Sequence, residues 1–146
     1  VIVMNNAVIA QEGSPEDLYN FPKNKFVANF IGDANVLNAE IIKKQSNVYD
    51  LKIAEMNIKI ESDKDFNNSI SVALRPEKIS INRNKNDNCI SATVNNASFV
   101  GNSYQYILNS AAGKLYVVSG DTNDIFKVGE KVFLSINEQY VKILND

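Results

Sequence analysis

Three places in the chain hold the residues with most chemical capacity: Arg75-Pro76-Glu77, the pair Tyr104 and Tyr106, and Cys89. Arginine can grip an oxyanion through two parallel N–H donors, so Arg75 is a candidate ligand contact with Pro76 and Glu77 beside it. The plainer reading, which is favoured, is that Pro76 ends a strand while Arg75 and Glu77 form a local ion pair. Tyr104 and Tyr106 could stack a base or a sugar. Their spacing of two is also that of core aromatics on one strand face, and core packing is favoured. Cys89 is the one cysteine. It excludes an internal disulfide and a cysteine-cluster metal site, and it reads as a small half-buried strand residue.

The chemistry that is missing is equally informative. With no histidine, serine–histidine triads, histidine zinc sites and histidine proton shuttles are excluded. Gly113-Lys114 is the nearest approach to a phosphate-cradling loop, but it lacks the upstream glycine and the following hydroxyl. Carboxylates are scattered and show no EF-hand spacing. No catalytic, cofactor-binding or metal-ligating residue is therefore expected in this chain.

The 146 residues fit one domain, or one domain and a piece of another. Hydrophobic residues make up 45% of the chain, enough for a core. A net charge of −2 argues against nucleic-acid binding by bulk electrostatics. No apolar run reaches the roughly 18–20 residues that cross a bilayer, and no leader is evident. A cytosolic address is favoured.

Local patterns show which elements must position these residues. Apolar runs at 1–4 and 7–10 flank Asn5-Asn6, read as a hairpin turn. Ser14 is an N-cap, Pro15 suits the first helical position, and Glu16 and Asp17 favour the positive helix end. This short helix ends before Pro22. Asn24 caps a second helix, on which Phe26, Val27, Phe30 and Ile31 share one face. Gly32 reads as its terminating glycine. Phe26 and Phe30 are expected to be covered by a hydrophobic surface, that of their own β-domain, of a neighbouring domain or of a second copy.

From Val36 the period switches to two, as in Leu37, Ala39 and Ile41 or Tyr49, Leu51 and Ile53. A polar hinge at 82–88 divides the β-region into two parts of about five strands each. Gly101 and the later glycines mark turns. The expected fold is mainly β, with two OB-like units forming a barrel or sandwich, preceded by a hairpin and two short helices.

Residues 9–41, "IAQEGSPEDLYNFPKNKFVANFIGDANVLNAEI", resemble the segment joining the ATPase domain to the regulatory domain in the ATP-binding subunits of ABC importers. That run reads approximately I-x-Q-x-G-T-P-x-E-I-Y-x-x-P-x-N-x-F-V-A-x-F-I-G-x-x-N. Ile9, Gln11, Gly13, Pro15, Tyr19, Pro22, Asn24, Phe26, Val27, Ala28, Phe30, Ile31, Gly32 and Asn35 match it. Ala7 stands where glycine is usual, which suggests a different turn geometry. Residues 73–81 resemble V-R-P-E-x-I-x-L, and 98–108 resemble a strand, F-x-G turn, strand unit that includes Gly101. The ending G-x-x-V-x-L-S-W-x-P-E-x-x-x-x-L is matched with Ile136 in place of tryptophan.

The resemblance implies a TOBE-type regulatory domain made of paired OB-like units. Residues 1–33 would be the tail of an ATPase domain and its helical linker. Residues 34–146 would be the regulatory domain, with 34–82 and 89–146 as its halves. Gln11, Gly13, Pro15, Tyr19, Pro22, Phe26, Ala28, Phe30, Gly32 and Asn35 would serve structurally. Arg75, Pro76, Glu77 and Gly101 would be structural with a possible ligand contact. Implied partners are a second copy, an upstream ATPase domain that binds Mg-ATP, and membrane subunits at the inner face of the cell membrane. The substrate would be polyamine, with ferric iron or phosphonate next. The competing expectation is a free OB-like module for a small oxyanion or nucleic acid.

Overall fold

The structure, a computed structural model, describes residues 1–145. It opens with an antiparallel hairpin of β1 (Ile2–Asn5) and β2 (Val8–Glu12). Asn5 pairs with Val8, so the turn is Asn6-Ala7, one residue later than expected. Asn6 has φ 51° and Ala7 φ 63°, the two positive values of a type I′ turn. Ala7 therefore keeps a left-handed backbone that glycine adopts at lower cost.

Two short helices follow, α1 (Pro15–Asn20) and α2 (Lys25–Ile31). Ser14 caps α1: its Oγ accepts from the amide of Asp17 at 3.1 Å, while Asp17 Oδ2 accepts from the amide of Ser14 at 3.3 Å. Asn24 Oδ1 accepts from the amide of Val27 at 2.9 Å and starts α2. The buried residues of α2 are Val27 and Ala28. Val27 packs with Val3 and Leu18, and Ala28 with Ala73 and Leu144, so α2 bridges the hairpin and the β-region.

Of the surfaces expected to cover the two phenylalanines, the chain's own β-domain does not cover Phe30. It is 63% exposed, while Phe26 is half-buried and stacks on it at 5.7 Å between centroids. The reason is angular. The buried arc is centred on Val27 and Ala28, and positions 26 and 30 turn away from it.

The β-region holds β3 (Asn35–Gln45), β4 (Val48–Ile53), β5 (Met56–Glu61), β6 (Ser69–Leu74), β7 (Ile79–Asn82), β8 (Ile90–Phe99), β9 (Tyr104–Ser110), β10 (Gly113–Ser119), β11 (Lys131–Ile136) and β12 (Val141–Ile143). They form two five-stranded antiparallel sheets, ordered β12-β6-β3-β4-β5 and β10-β9-β8-β11-β7. The mainly β, two-sheet OB-like architecture expected from the alternation is the one found.

The strands are not allotted to the sheets as 34–82 and 89–146. β7 pairs with β11 in the second sheet, and β12 returns to pair with β6 in the first. Alternation reports which face is buried, not which strand lies alongside. The crossing points are 3-10 turns at Pro76–Lys78 and Glu138–Tyr140. Pro76 has no N–H to continue the ladder, so the chain leaves the first sheet there. Exchange of strands produces a single core, in which Leu51, Ile70 and Val72 of one sheet join Val94, Tyr106 and Leu134 of the other.

Candidate functional site

The residues singled out in the sequence converge where the helices meet the β-region. Arg75 directly follows β6 and is only 6% exposed. Its Nη1 donates to the carbonyls of Ala28 (3.0 Å), Gly32 (2.9 Å) and Asp33 (3.2 Å), and its Nη2 to that of Tyr19 (3.0 Å). The guanidinium carbon lies 4.1 Å from the centre of the Tyr19 ring. Burial pushes the pKa of Arg75 down from its ordinary value, and the carboxylate of Asp33 pulls it back.

The local ion pair expected between Arg75 and Glu77 does not form. Glu77 is exposed, and the donors of Arg75 are turned to main-chain oxygens. The reason is the 3-10 turn beginning at Pro76, which is buried and swings the chain away from β6.

Asn35, at the start of β3, is 4% exposed. Its Nδ2 donates to the carbonyls of Leu74 (3.2 Å) and Tyr116 (2.8 Å), and its Oδ1 accepts from the amide of Tyr116 at 2.7 Å. One side chain thus ties β6 to the open edge of β10. Gln11 does the same for the linker: Nε2 donates to the carbonyl of Phe21 at 3.0 Å, and Oε1 accepts from the amide of Lys23 at 2.8 Å. Both polar atoms of each buried amide thus have a partner, as burial demands.

Other motif positions are packing or turn residues. Pro15 is the first residue of α1, Pro22 is buried between the helices, and Ala28 is fully buried. The amide of Gly13 donates to the carbonyl of Val1 at 3.0 Å, which closes the open end of the hairpin. Gly32 ends α2 with φ 178°, an extended backbone and not the left-handed cap expected of a terminating glycine. Gly101 has φ 97° at the β8–β9 tip, where a side chain would strain the turn.

A cleft of about 250 Å³ opens beside this joint, lined by Tyr19, Asp33, Pro76, Glu77, Gln105 and Tyr116. Tyr106 lies in the core, and its hydroxyl accepts from the amide of Phe126 at 3.2 Å. Tyr104 is half-buried and stacks between Phe99 and Tyr106. Cys89 is buried. Among the described residues no group of three or more acidic or cysteine side chains could hold a metal.

Arg75, Asn35 and Gln11 share one feature that sequence reasoning missed: each recognises backbone groups of a distant segment. The available signal was α2 itself, which has no basic residue in its last turn to satisfy its carbonyls. The arrangement fastens segments together.

Fold and joint together define an OB-like β-domain fastened to a hairpin and two helices. Residues 72–143 match the TOBE domain family. Along nearly its whole length the chain is similar to ATP-binding subunits of ABC importers. It is 34% identical over 148 residues to the spermidine/putrescine import ATP-binding protein PotA of Acetivibrio thermocellus, covering 99% of this chain and 39% of that protein. It is 26% identical over 145 residues to the Fe(3+) ions import ATP-binding protein FbpC of Brucella abortus (strain 2308), covering 99% and 41%. The chain thus spans about two fifths of the length of these relatives. It matches their TOBE domain and not their ATPase domain. Among solved structures, the cytoplasmic molybdate-binding protein ModG, with molybdate bound, superposes with a TM-score of 0.56 at 10% identity. The match covers 73% of this chain and 92% of that one, a likeness of fold.

Proposed function

We propose that this chain is the regulatory part of the ATP-binding subunit of an ABC importer, with a polyamine as the favoured cargo and ferric iron or phosphonate next. The observation that carries the reading is the collinear match of 99% of the chain, hairpin and helices included, to such subunits. The hairpin supports it. Its inner face, at Val3, is covered by the helices, while Ile2, Met4 and Ile9 on the other side are each 54% exposed. A two-stranded sheet with one apolar face uncovered has the character of a piece of a larger sheet.

In this reading residues 1–33 lead from an ATPase portion into the regulatory β-domain, and Mg-ATP binds in that ATPase portion. A second copy and the membrane subunits complete the assembly at the inner face of the cell membrane. Among the described residues no helix is long and apolar enough to cross a membrane. The oxyanion alternative is weakened at Arg75, its candidate ligand, both of whose terminal nitrogens already donate to carbonyls.

The test is to express the complete reading frame that contains this chain and measure ATP hydrolysis together with uptake of labelled spermidine and ferric iron. ATP-dependent spermidine uptake is the expected result. A frame encoding no phosphate-binding loop sinks the reading, whereas iron uptake corrects only the cargo. The chain alone should give no saturable heat with Mg-ATP.

A further inference from the structure

The end of α2 is unusual in where its capping comes from. A helix leaves its last carbonyls without intrahelical partners. The common remedies are a left-handed glycine or a basic residue in the last turn. Here Gly32 is extended, and the last turn holds no basic residue. A Cβ at Gly32 would meet the Tyr19 ring at 3.4 Å and Arg75 Nη1 at 3.7 Å, ordinary contact distances, so neither backbone angle nor space explains the glycine. The carbonyls of Ala28, Gly32 and Asp33 are satisfied instead by Arg75, more than 40 residues on.

The same guanidinium reaches the end of α1 through the carbonyl of Tyr19, and the ring of Tyr19 covers its face. One side chain from the start of the β6–β7 crossover therefore closes the ends of both helices. Among the described residues no carboxylate lies within ion-pairing distance of Arg75, although Asp33 is near enough to be felt. A buried guanidinium held by neutral carbonyls and one ring, with no carboxylate paired to it, depends on those groups staying in position.

We infer that Arg75 is a latch that makes the order of both linker helices conditional on docking of the β-domain. Removing the guanidinium uncaps α1 and α2 together while the two sheets keep their own ladders. A displacement of the Pro76 turn is thereby transmitted to the helices and on to the hairpin, which α2 holds through Val27. The latch operates in the isolated chain, so its test does not pass through transport.

The experiment is amide hydrogen exchange on the chain and on Arg75→Ala, Arg75→Lys and Tyr19→Ala. In Arg75→Ala, exchange across 17–21 and 28–34 should accelerate at least tenfold, while amides of β9 and β10 keep their rates. Arg75→Lys should fall between, because an ammonium offers no planar fork and no stacking face. A folded Arg75→Ala whose helices exchange at the parent rate overturns the latch. If Arg75→Ala loosens the sheets as well, Tyr19→Ala decides. Acceleration of about fivefold confined to the linker supports the latch, and an unchanged or chain-wide response overturns it.

Discussion

The side chain of Asn35 pairs with both backbone groups of Tyr116, 81 residues away, as a neighbouring strand would. β10 is an edge strand of its sheet, and an open edge is a template for unwanted pairing. Asn35 occupies that edge and also holds the carbonyl of Leu74 in the other sheet. Leaving such buried groups unpaired costs about 1–3 kcal/mol. Asn35→Ala should therefore destabilise the chain by about 2 kcal/mol in urea unfolding. Asn35→Asp should cost at least as much, because a carboxylate then faces the carbonyls of Tyr116 and Leu74. An Asn35→Asp variant as stable as the parent at neutral pH would contradict the bridge.

Ala7 offers a test in the opposite direction. Its φ of 63° is one that glycine adopts without the crowding of a Cβ, and its side chain is exposed, so little packing is lost on truncation. Ala7→Gly should stabilise the hairpin by about 1 kcal/mol, equivalent to roughly fivefold slower amide exchange in β1 and β2. Faster exchange in the glycine variant would show that the turn is not of the I′ type.

The contrast between these residues shows what a sequence carries. Ser14, Asn24 and the strand alternation are local: the cap lies three residues from its partner, and the period of two follows from the pleat. They were legible for that reason. Asn35 and Gln11 were visible as motif positions through resemblance alone, and Arg75 stood out as a candidate ligand contact, not as a clasp on the helices. Their partners are main-chain atoms, which every residue has, so pattern cannot say which ones are met. The exchange of β7 and β12 between sheets was hidden for a related reason, since both strands alternate correctly in either sheet. Phe30 shows that residues sharing a helical face need not be buried by the same chain, since the buried residues of α2 are Val27 and Ala28.

A pH response is expected at the loop before β11. Arg83 Nε donates to Glu130 Oε1 at 2.6 Å and Nη1 to Asp124 Oδ1 at 2.5 Å, which pins the chain entering 83–88 to this loop. The carboxyl of Glu130 is held below its ordinary value, chiefly by the backbone amide of Lys127 and further by Arg83. A carboxylate with a depressed folded pKa contributes fully above its unfolded value, about 4.3, and that contribution is lost as pH falls through the folded value. In NMR titration the amide of Lys127 should hold steady from about pH 7 to pH 5 and shift on further acidification. Glu130→Gln should abolish the shift. A transition centred above the ordinary carboxylate range would reverse the assigned sign.

The last expectation concerns self-association. Ile2, Met4 and Ile9 share an uncovered hairpin face, and Val8 beside them is 67% exposed. The two-stranded sheet also has both outer edges unpaired among the described residues. Apolar area and open edges together favour pairing with a second copy, and twofold closure is the commonest outcome. Sedimentation at high micromolar concentration should show a dimer. Deleting residues 1–12 is a poor way to probe it, because Gln11 is lost as well and with it the contacts to Phe21 and Lys23. Met4→Glu is cleaner: it places charge on the exposed face and leaves Val3 and Gln11 in place. The variant should sediment as a monomer with an unchanged melting temperature. A dimer that survives Met4→Glu would move the contact to the β-domain, where the regulatory reading puts the second copy. A monomeric parent chain would remove the hairpin as an association surface.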